Sequence, residues 1–189
     1  MTKVFIDGSA GTTGLRIYER LESRKDTRLL KLSEEKRKDK NARKEALNSA
    51  DIAFLCLPDD AARESVSLCE NENTVIIDTS TAHRTAENFV YGFPELSAEQ
   101  KAKIALSKRI AVPGCHASGF ISLIYPLTES GIIEKSALLS CFSVTGYSGG
   151  GKKMIAEYEG ENRDILLSPP VRHRANAQAS ARNGRRYGA

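Results

Sequence analysis

The chain has 189 residues, 40% of them hydrophobic and 28% charged, with a formal net charge of +4. That length suits one full domain or one domain plus part of another, and the composition is that of an ordinary soluble protein. No apolar run is long enough to span a membrane, and Met1-Thr2-Lys3-Val4 lacks a signal-peptide layout, so a cytoplasmic protein without membrane partners is expected. The four cysteines are irregularly spaced with no C-x-x-C pair, which points to a reducing compartment and no metal site.

Lys3 to Asp7 is a short apolar run with β-branched Val4 and Ile6, the pattern of a buried strand. It runs into Gly8-Ser9-Ala10-Gly11-Thr12-Thr13-Gly14, and a helix follows with Leu15, Tyr18 and Leu21 on one face. Strand, glycine-rich turn and helix together place a phosphate on backbone N–H groups at a helix N-terminus. The G-x-x-G-x-x-G spacing also suits a tight turn and close helix packing. Gly8, Ala10, Gly11, Thr12, Thr13 and Gly14 are therefore candidate cofactor-binding residues.

Arg28 to Leu32 reads as a second strand. In a dinucleotide fold an acidic residue after this strand favours a ribose hydroxyl, and a nearby arginine accommodates a 2′-phosphate. Here Ser33 comes first, then Glu34-Glu35, then Lys36-Arg37-Lys38. Ser33 and Arg37 point to NADP(H), and the two glutamates point the other way. Lys36-Arg37-Lys38-Asp39-Lys40 with Arg43 and Lys44 is one basic cluster, and the tail from Arg172 to Arg186 is another. Neither carries interleaved aromatics or a nucleic-acid motif, so the first is expected to be a solvated helix face or an anion-binding loop, with no nucleic-acid partner.

Asp51 to Leu57 is an apolar strand ending at Pro58-Asp59-Asp60, where either aspartate can cap a helix with Ala62, Val66 and Cys69 on its buried face. Thr74 to Asp78 is a further buried strand. The polar loop after it, Thr79-Ser80-Thr81-Ala82-His83-Arg84, lies at a strand's carboxyl end, where open parallel sheets bind ligands, although Ser, Thr and Asp also serve turns. Tyr91 to Leu96 reads as a loop and Ala98 to Leu106 as a helix.

Arg109 to Val112 reads as a short strand stopped by Pro113-Gly114. Phe120, Ile121, Ile124 and Leu127 have helical spacing, which puts Cys115 where a helix begins. The dipole and free N–H groups of a helix N-terminus favour a thiolate, the form in which cysteine is a nucleophile. The other reading is a small buried cysteine closing a strand. Strands alternating with helices up to Cys115 argue a doubly wound parallel sheet. Beyond the next helix, Ala137 to Thr145 alternates like an exposed-face strand, and Gly146 to Lys153 reads as a basic loop that holds an anion or turns the chain.

Six stretches occur together and in order: Ile6 to Gly14, Leu55 to Ala62, Asp78 to Arg84, Tyr91 to Glu95, Pro113 to Gly119 and Ser143 to Lys152. They resemble the short type of N-acetyl-γ-glutamyl-phosphate reductase, an enzyme family of arginine synthesis. Aspartate-semialdehyde dehydrogenases share the architecture but match these stretches less well. The resemblance implies an α/β fold, with a Rossmann-type parallel sheet domain followed by an incomplete α+β substrate domain. Its boundaries are 1–115 for NADP binding, 116–170 for a partial substrate domain and 171–189 for an irregular tail.

It also implies Cys115 as catalytic nucleophile, Ser80, Arg84, Glu95 and His116 as substrate-binding residues, a small acyl phosphate as substrate, and a homo-oligomer in the full-length family. The family takes an acid/base histidine from a later segment. This chain has only His83, His116 and His173, and adjacency of His116 to Cys115 does not by itself aim the two side chains together. A reductase and a non-catalytic NADP-binding chain are therefore both expectations.

The tail suggests a shifted reading frame. Taking the last two bases of each codon with the first of the next, Val171 to Asn183 can encode Tyr-Gly-Ile-Gly-Gln-Met-His-Lys-His-Leu-Pro-Glu-Met, which resembles the family's histidine segment. The tail is then not expected to pack, and the apolar face near Leu139 and Cys141 is left under-covered.

Overall fold

The computed structural model describes residues 1–160, so the tail from Val171 and its proposed frame lie outside the described residues. The chain divides into two compact units, Met1–Gly114 and a second that begins at Cys115.

The first unit is a six-stranded sheet: β1 (Thr2–Asp7), β2 (Thr27–Leu30), β3 (Ile52–Leu55), β4 (Val75–Asp78), β5 (Val90–Tyr91) and β6 (Arg109–Ala111). All neighbours pair parallel in the order β2-β1-β3-β4-β6-β5. Its helices are α1 (Thr12–Glu22), α2 (Lys40–Ser49), α3 (Asp59–Leu68) and α4 (Ala98–Leu106). Parallel strands need crossover connections, and helices supply most of them. Covering a sheet in this way leaves its strands apolar, and Val4, Phe5, Ala53, Leu55, Ile76 and Ala111 form the buried centre.

Each expected strand of the sheet is present; β1 begins one residue earlier than expected, and the others are shorter by one to three residues. The expectation that missed is β5. Two residues are too few to show a period, so Tyr91 reads as loop in the sequence. It is a strand because Val90 and Tyr91 pair with Ile110 and Ala111 and both Phe89 and Tyr91 are buried.

Two helices open on side-chain caps, whereas α3 opens at Pro58 without the cap expected of Asp59 or Asp60, and Asp59 instead accepts from the Thr81 N–H at 3.0 Å. The Asp39 side chain accepts from the Ala42 N–H at 2.7 Å to open α2, and Ser97 does the same for Gln100 at 3.0 Å to open α4. At the other end of α2, the buried Thr74 hydroxyl reaches the Ala50 carbonyl at 2.8 Å and so ties that helix to the start of β4.

In the second unit α5 spans Cys115–Glu129 with Phe120, Ile121, Ile124 and Leu127 half-buried, the face its spacing implies. Two expectations fail here. Residues 137–145 form no strand, since the described part of this unit offers no second strand to pair the backbone N–H and C=O groups. Leu138, Phe142 and Val144 are exposed there. The glycine-lysine stretch is not an open loop. It is a 3-10 turn at Tyr147–Gly150 followed by α6 (Gly151–Glu159), with Tyr147 stacked on Tyr158 at 5.1 Å.

Candidate functional site

β1 sits between β2 and β3, so the chain leaves it in opposite directions on its two sides. In open parallel sheets a ligand crevice forms at the carboxyl end of the strand where the order reverses. The turn at that end is Gly8 to Gly14. Gly8 has φ of +87°, and a Cβ there would lie 2.2 Å from the Cys56 carbonyl oxygen. A Cβ on Gly14 would lie 2.4 Å from the Gly8 carbonyl oxygen. The Gly11 N–H donates to that same oxygen at 2.9 Å, which closes the turn.

Gly11 caps α1 with extended backbone and no side-chain hydrogen bond. The N–H groups of Thr12, Thr13 and Gly14 lie in the first turn of α1, whose dipole favours an anion. Thr12 and Thr13 are exposed, while Ala10 is an exposed turn residue with no bulk to obstruct a ligand. This cradle fits the pyrophosphate of a dinucleotide.

β2 runs beside β1, so the residues after it lie at the same edge of the sheet. Ser33 is exposed, and its carbonyl accepts from the Lys36 N–H. Arg37, in a 3-10 turn at Lys36–Lys38, forms an ion pair with Glu34. The basic residue and the glutamate that opposed it in the sequence are thus joined to each other.

Arg43 departs from its expectation. It is not on a solvated face but is 7% exposed inside α2. Its Nε donates to Asp7 Oδ2 at 3.1 Å, Nη1 to Glu64 Oε2 at 2.7 Å and Nη2 to Ser65 Oγ at 2.6 Å. The Ser65 hydroxyl reaches Asp7 Oδ2 at 2.8 Å. Burial works against the Arg43 charge, but the hydrogen bonds and charges of Glu64 and Asp7 outweigh it and raise its pKa above the ordinary arginine value. The Arg43 hydrogen bond in turn lowers the pKa of Glu64. A signal for this cluster was present: Arg43, Ala46, Leu47 and Ala50 share one helical stripe, so a basic residue stands on an apolar face.

At the end of β4, Asp78 is fully buried. It accepts from the Ser80 N–H at 2.9 Å and the Ser80 hydroxyl at 2.7 Å, and it meets His83 Nδ1 at 2.6 Å. The His83 ring stacks on Phe89 with centroids 4.3 Å apart. Ser80 and His83 therefore shape the loop from within it. Arg84 donates from Nε to the Val112 carbonyl at 3.0 Å and from Nη2 to the Thr79 carbonyl at 3.2 Å, which joins the loop after β4 to the end of β6. A Cβ on Gly114 would lie 2.7 Å from Arg84 Nη1, so the guanidinium packs closely on the turn after β6. Glu95 is exposed in a 3-10 turn at Pro94–Leu96. Cys56, behind the glycine turn, is pushed up to about 11, chiefly by burial.

In the second unit Cys115 is exposed and is the first residue of the 15-residue helix α5. His116 Nδ1 lies 2.6 Å from the Ser143 hydroxyl. Cys115, His116, Phe120, Cys141 and Ser143 line one open groove of about 590 Å³. Such a groove, with a thiol at a helix N-terminus and an apolar wall, can seat a small acyl group beside a nucleophile. Among the described residues no cluster of three or more metal-ligating side chains exists, and no helix is long and apolar enough to cross a membrane.

The parallel sheet, the reversal at β1 and the glycine turn define a dinucleotide-binding α/β protein. Residues 3–104 match the model of the semialdehyde dehydrogenase NAD-binding domain, and the chain belongs to that family. It is 53% identical over 162 residues to an N-acetyl-gamma-glutamyl-phosphate reductase of Chelativorans sp. (strain BNC1), covering 86% of this chain and 52% of the relative. It is 51% identical over 157 residues to one of Trichormus variabilis (strain ATCC 29413 / PCC 7937), covering 83% and 49%. The chain spans about half the length of the curated relatives it matches.

Among solved structures it is similar in fold to aspartate semialdehyde dehydrogenase II of Vibrio cholerae complexed with ASA. The TM-score is 0.59 at 16% identity, over 93% of this chain and 55% of that one. The aspartate semialdehyde dehydrogenase of Francisella tularensis gives 0.59 at 18% identity, over 88% and 53%.

Proposed function

We propose that this chain carries the cofactor half and the nucleophile of an NADPH-dependent N-acetylglutamyl-phosphate reductase of arginine biosynthesis, in the cytoplasm. The observation that carries this reading is Cys115, an exposed thiol opening a long helix directly after β6, in a chain whose relatives bear that name. Aspartate-semialdehyde-like reduction is the neighbouring chemistry, and the similarity to N-acetyl-gamma-glutamyl-phosphate reductases favours the acetylglutamyl substrate over it.

The glycine turn and the α1 N-terminus hold the pyrophosphate, and Ser33 and Arg37 lie where a 2′-phosphate would be received. A bound reduced nicotinamide supplies the hydride that takes the thioester to the aldehyde. The Cys115 thiolate attacks the carbonyl carbon of the acyl phosphate. A C–S bond forms, the bond from carbon to the phosphate oxygen breaks, and inorganic phosphate leaves. A thiol suits both ends of this cycle, because it attacks well as thiolate and leaves well from the reduced carbon. The first N–H groups of α5 donate to the oxyanion.

A second reading rests on the histidines. His83 is buried against Asp78 and Phe89, and His116 is taken up by Ser143. Among the described residues neither is set out as an acid/base group, which supports a chain that binds cofactor with little turnover. The test is NADPH oxidation with acetylglutamyl phosphate, measured beside NADPH binding. Turnover with loss in Cys115→Ser supports the reductase. Binding without turnover supports the second reading, and absence of binding overturns both.

A further inference from the structure

We infer that Arg43 is a positioning residue for the dinucleotide: it cancels the charge of Asp7 immediately before the glycine turn and locks that turn to α2 and α3. The inference rests on the reading of Gly8 to Gly14 as the pyrophosphate cradle. Asp7 is the last residue of β1 and is 4% exposed. Its neighbour Gly8 is the residue whose carbonyl anchors the turn. An uncompensated carboxylate here would oppose a dianion on the adjacent N–H groups, and little water intervenes to screen it.

Two donors converge on the same oxygen, Asp7 Oδ2: Arg43 Nε at 3.1 Å and the Ser65 hydroxyl at 2.8 Å. Arg43 also holds Glu64, and Glu64 has a second cation in Lys40 at 3.7 Å. Two carboxylates thus face two cations, and the cluster adds no net charge beside the anion site. Packing alone does not call for such a cluster. Replacing a buried ion pair by apolar groups of like volume is often neutral for stability, whereas removing one partner leaves a costly charge. β1, α2 and α3 already meet through Phe5, Ala46, Leu47 and Leu68.

The test measures NADPH binding to the 189-residue chain by fluorescence titration, with thermal melting alongside. Arg43→Met should weaken NADPH about tenfold or more, and the double variant Asp7→Asn with Arg43→Met should recover most of that loss. A purely structural role lowers the melting temperature but leaves the affinity of the folded chain unchanged, and that result overturns the inference. So does a double variant that binds no better than Arg43→Met. If Arg43→Met does not fold, Arg43→Gln is compared with Arg43→Lys, which differ in charge at similar length, and equal NADPH affinity overturns the inference. Binding by the unsubstituted chain that is lost in Gly14→Val but kept in Arg43→Met overturns this inference alone. Binding of no dinucleotide at all overturns the cradle reading with it.

Discussion

Gly14 packs against Gly8 so closely that a methyl group on Gly14 would stand 2.4 Å from the Gly8 carbonyl oxygen. The two glycines hold the start of α1 down on the end of β1, which brings the first N–H groups of the helix to the cradle. Gly14→Val should therefore abolish NADPH binding. Gly8→Ala should also destabilise the fold by at least ~1–3 kcal/mol, because φ of +87° strains any residue with a Cβ. Urea unfolding of Gly8→Ala and dinucleotide titration of Gly14→Val check the two halves. Unchanged binding by Gly14→Val would sink the assignment of the turn.

Cys115 should be the fastest of the four thiols to react with iodoacetamide. It is exposed at the start of α5, whereas Cys69 is buried and Cys56 is pushed up to about 11. Cys141 is exposed but does not open a helix. Peptide mapping at neutral pH after brief labelling reads the order, and faster labelling of any other cysteine removes Cys115 as nucleophile.

The raised Cys56 thiol has a consequence at alkaline pH. The folded chain holds the proton up to about 11, while an ordinary free thiol releases it near 9.0. The stability this contributes is fully present below pH 9.0 and is lost as pH rises toward about 11, because the unfolded chain releases the proton first. Cys56→Ala should flatten this part of the stability profile. Chemical denaturation across that range is the measurement, and an equally steep fall in the variant would contradict it.

NADP(H) should bind more tightly than NAD(H). Arg37→Ala should weaken NADPH and leave NADH nearly unchanged. The pairing of Arg37 with Glu34 adds a finer expectation. Glu34→Gln releases the guanidinium and should tighten NADPH several-fold through one charge-assisted contact. Equal affinities of the unsubstituted chain for the two dinucleotides would refute the assignment.

The frame proposal for Val171 to Asn183 is checked on the coding DNA. The shifted frame should spell His-Lys-His-Leu-Pro across Ala177 to Ala181. An early stop, or any other string, ends the proposal.

The sequence by itself determined the sheet strands other than β5, the glycine turn and the place of Cys115 at the head of α5. Those features are local: apolar runs, glycines that end a strand, and helical spacing over one segment all act within a few residues. The tertiary structure alone decided which polar groups face each other. Asp7, Arg43 and Ser65 lie on three elements far apart in sequence, and only the parallel pairing of β1 and β3 brings α2 and α3 together over them. Asp78 likewise turned Ser80 and His83 from loop residues into an internal brace. β5 exists only because β6 offers it backbone partners, whereas residues 137–145 have the alternation of a strand and, among the described residues, no strand to join. A period can be read from side chains alone, but a hydrogen bond needs a partner that folding must deliver.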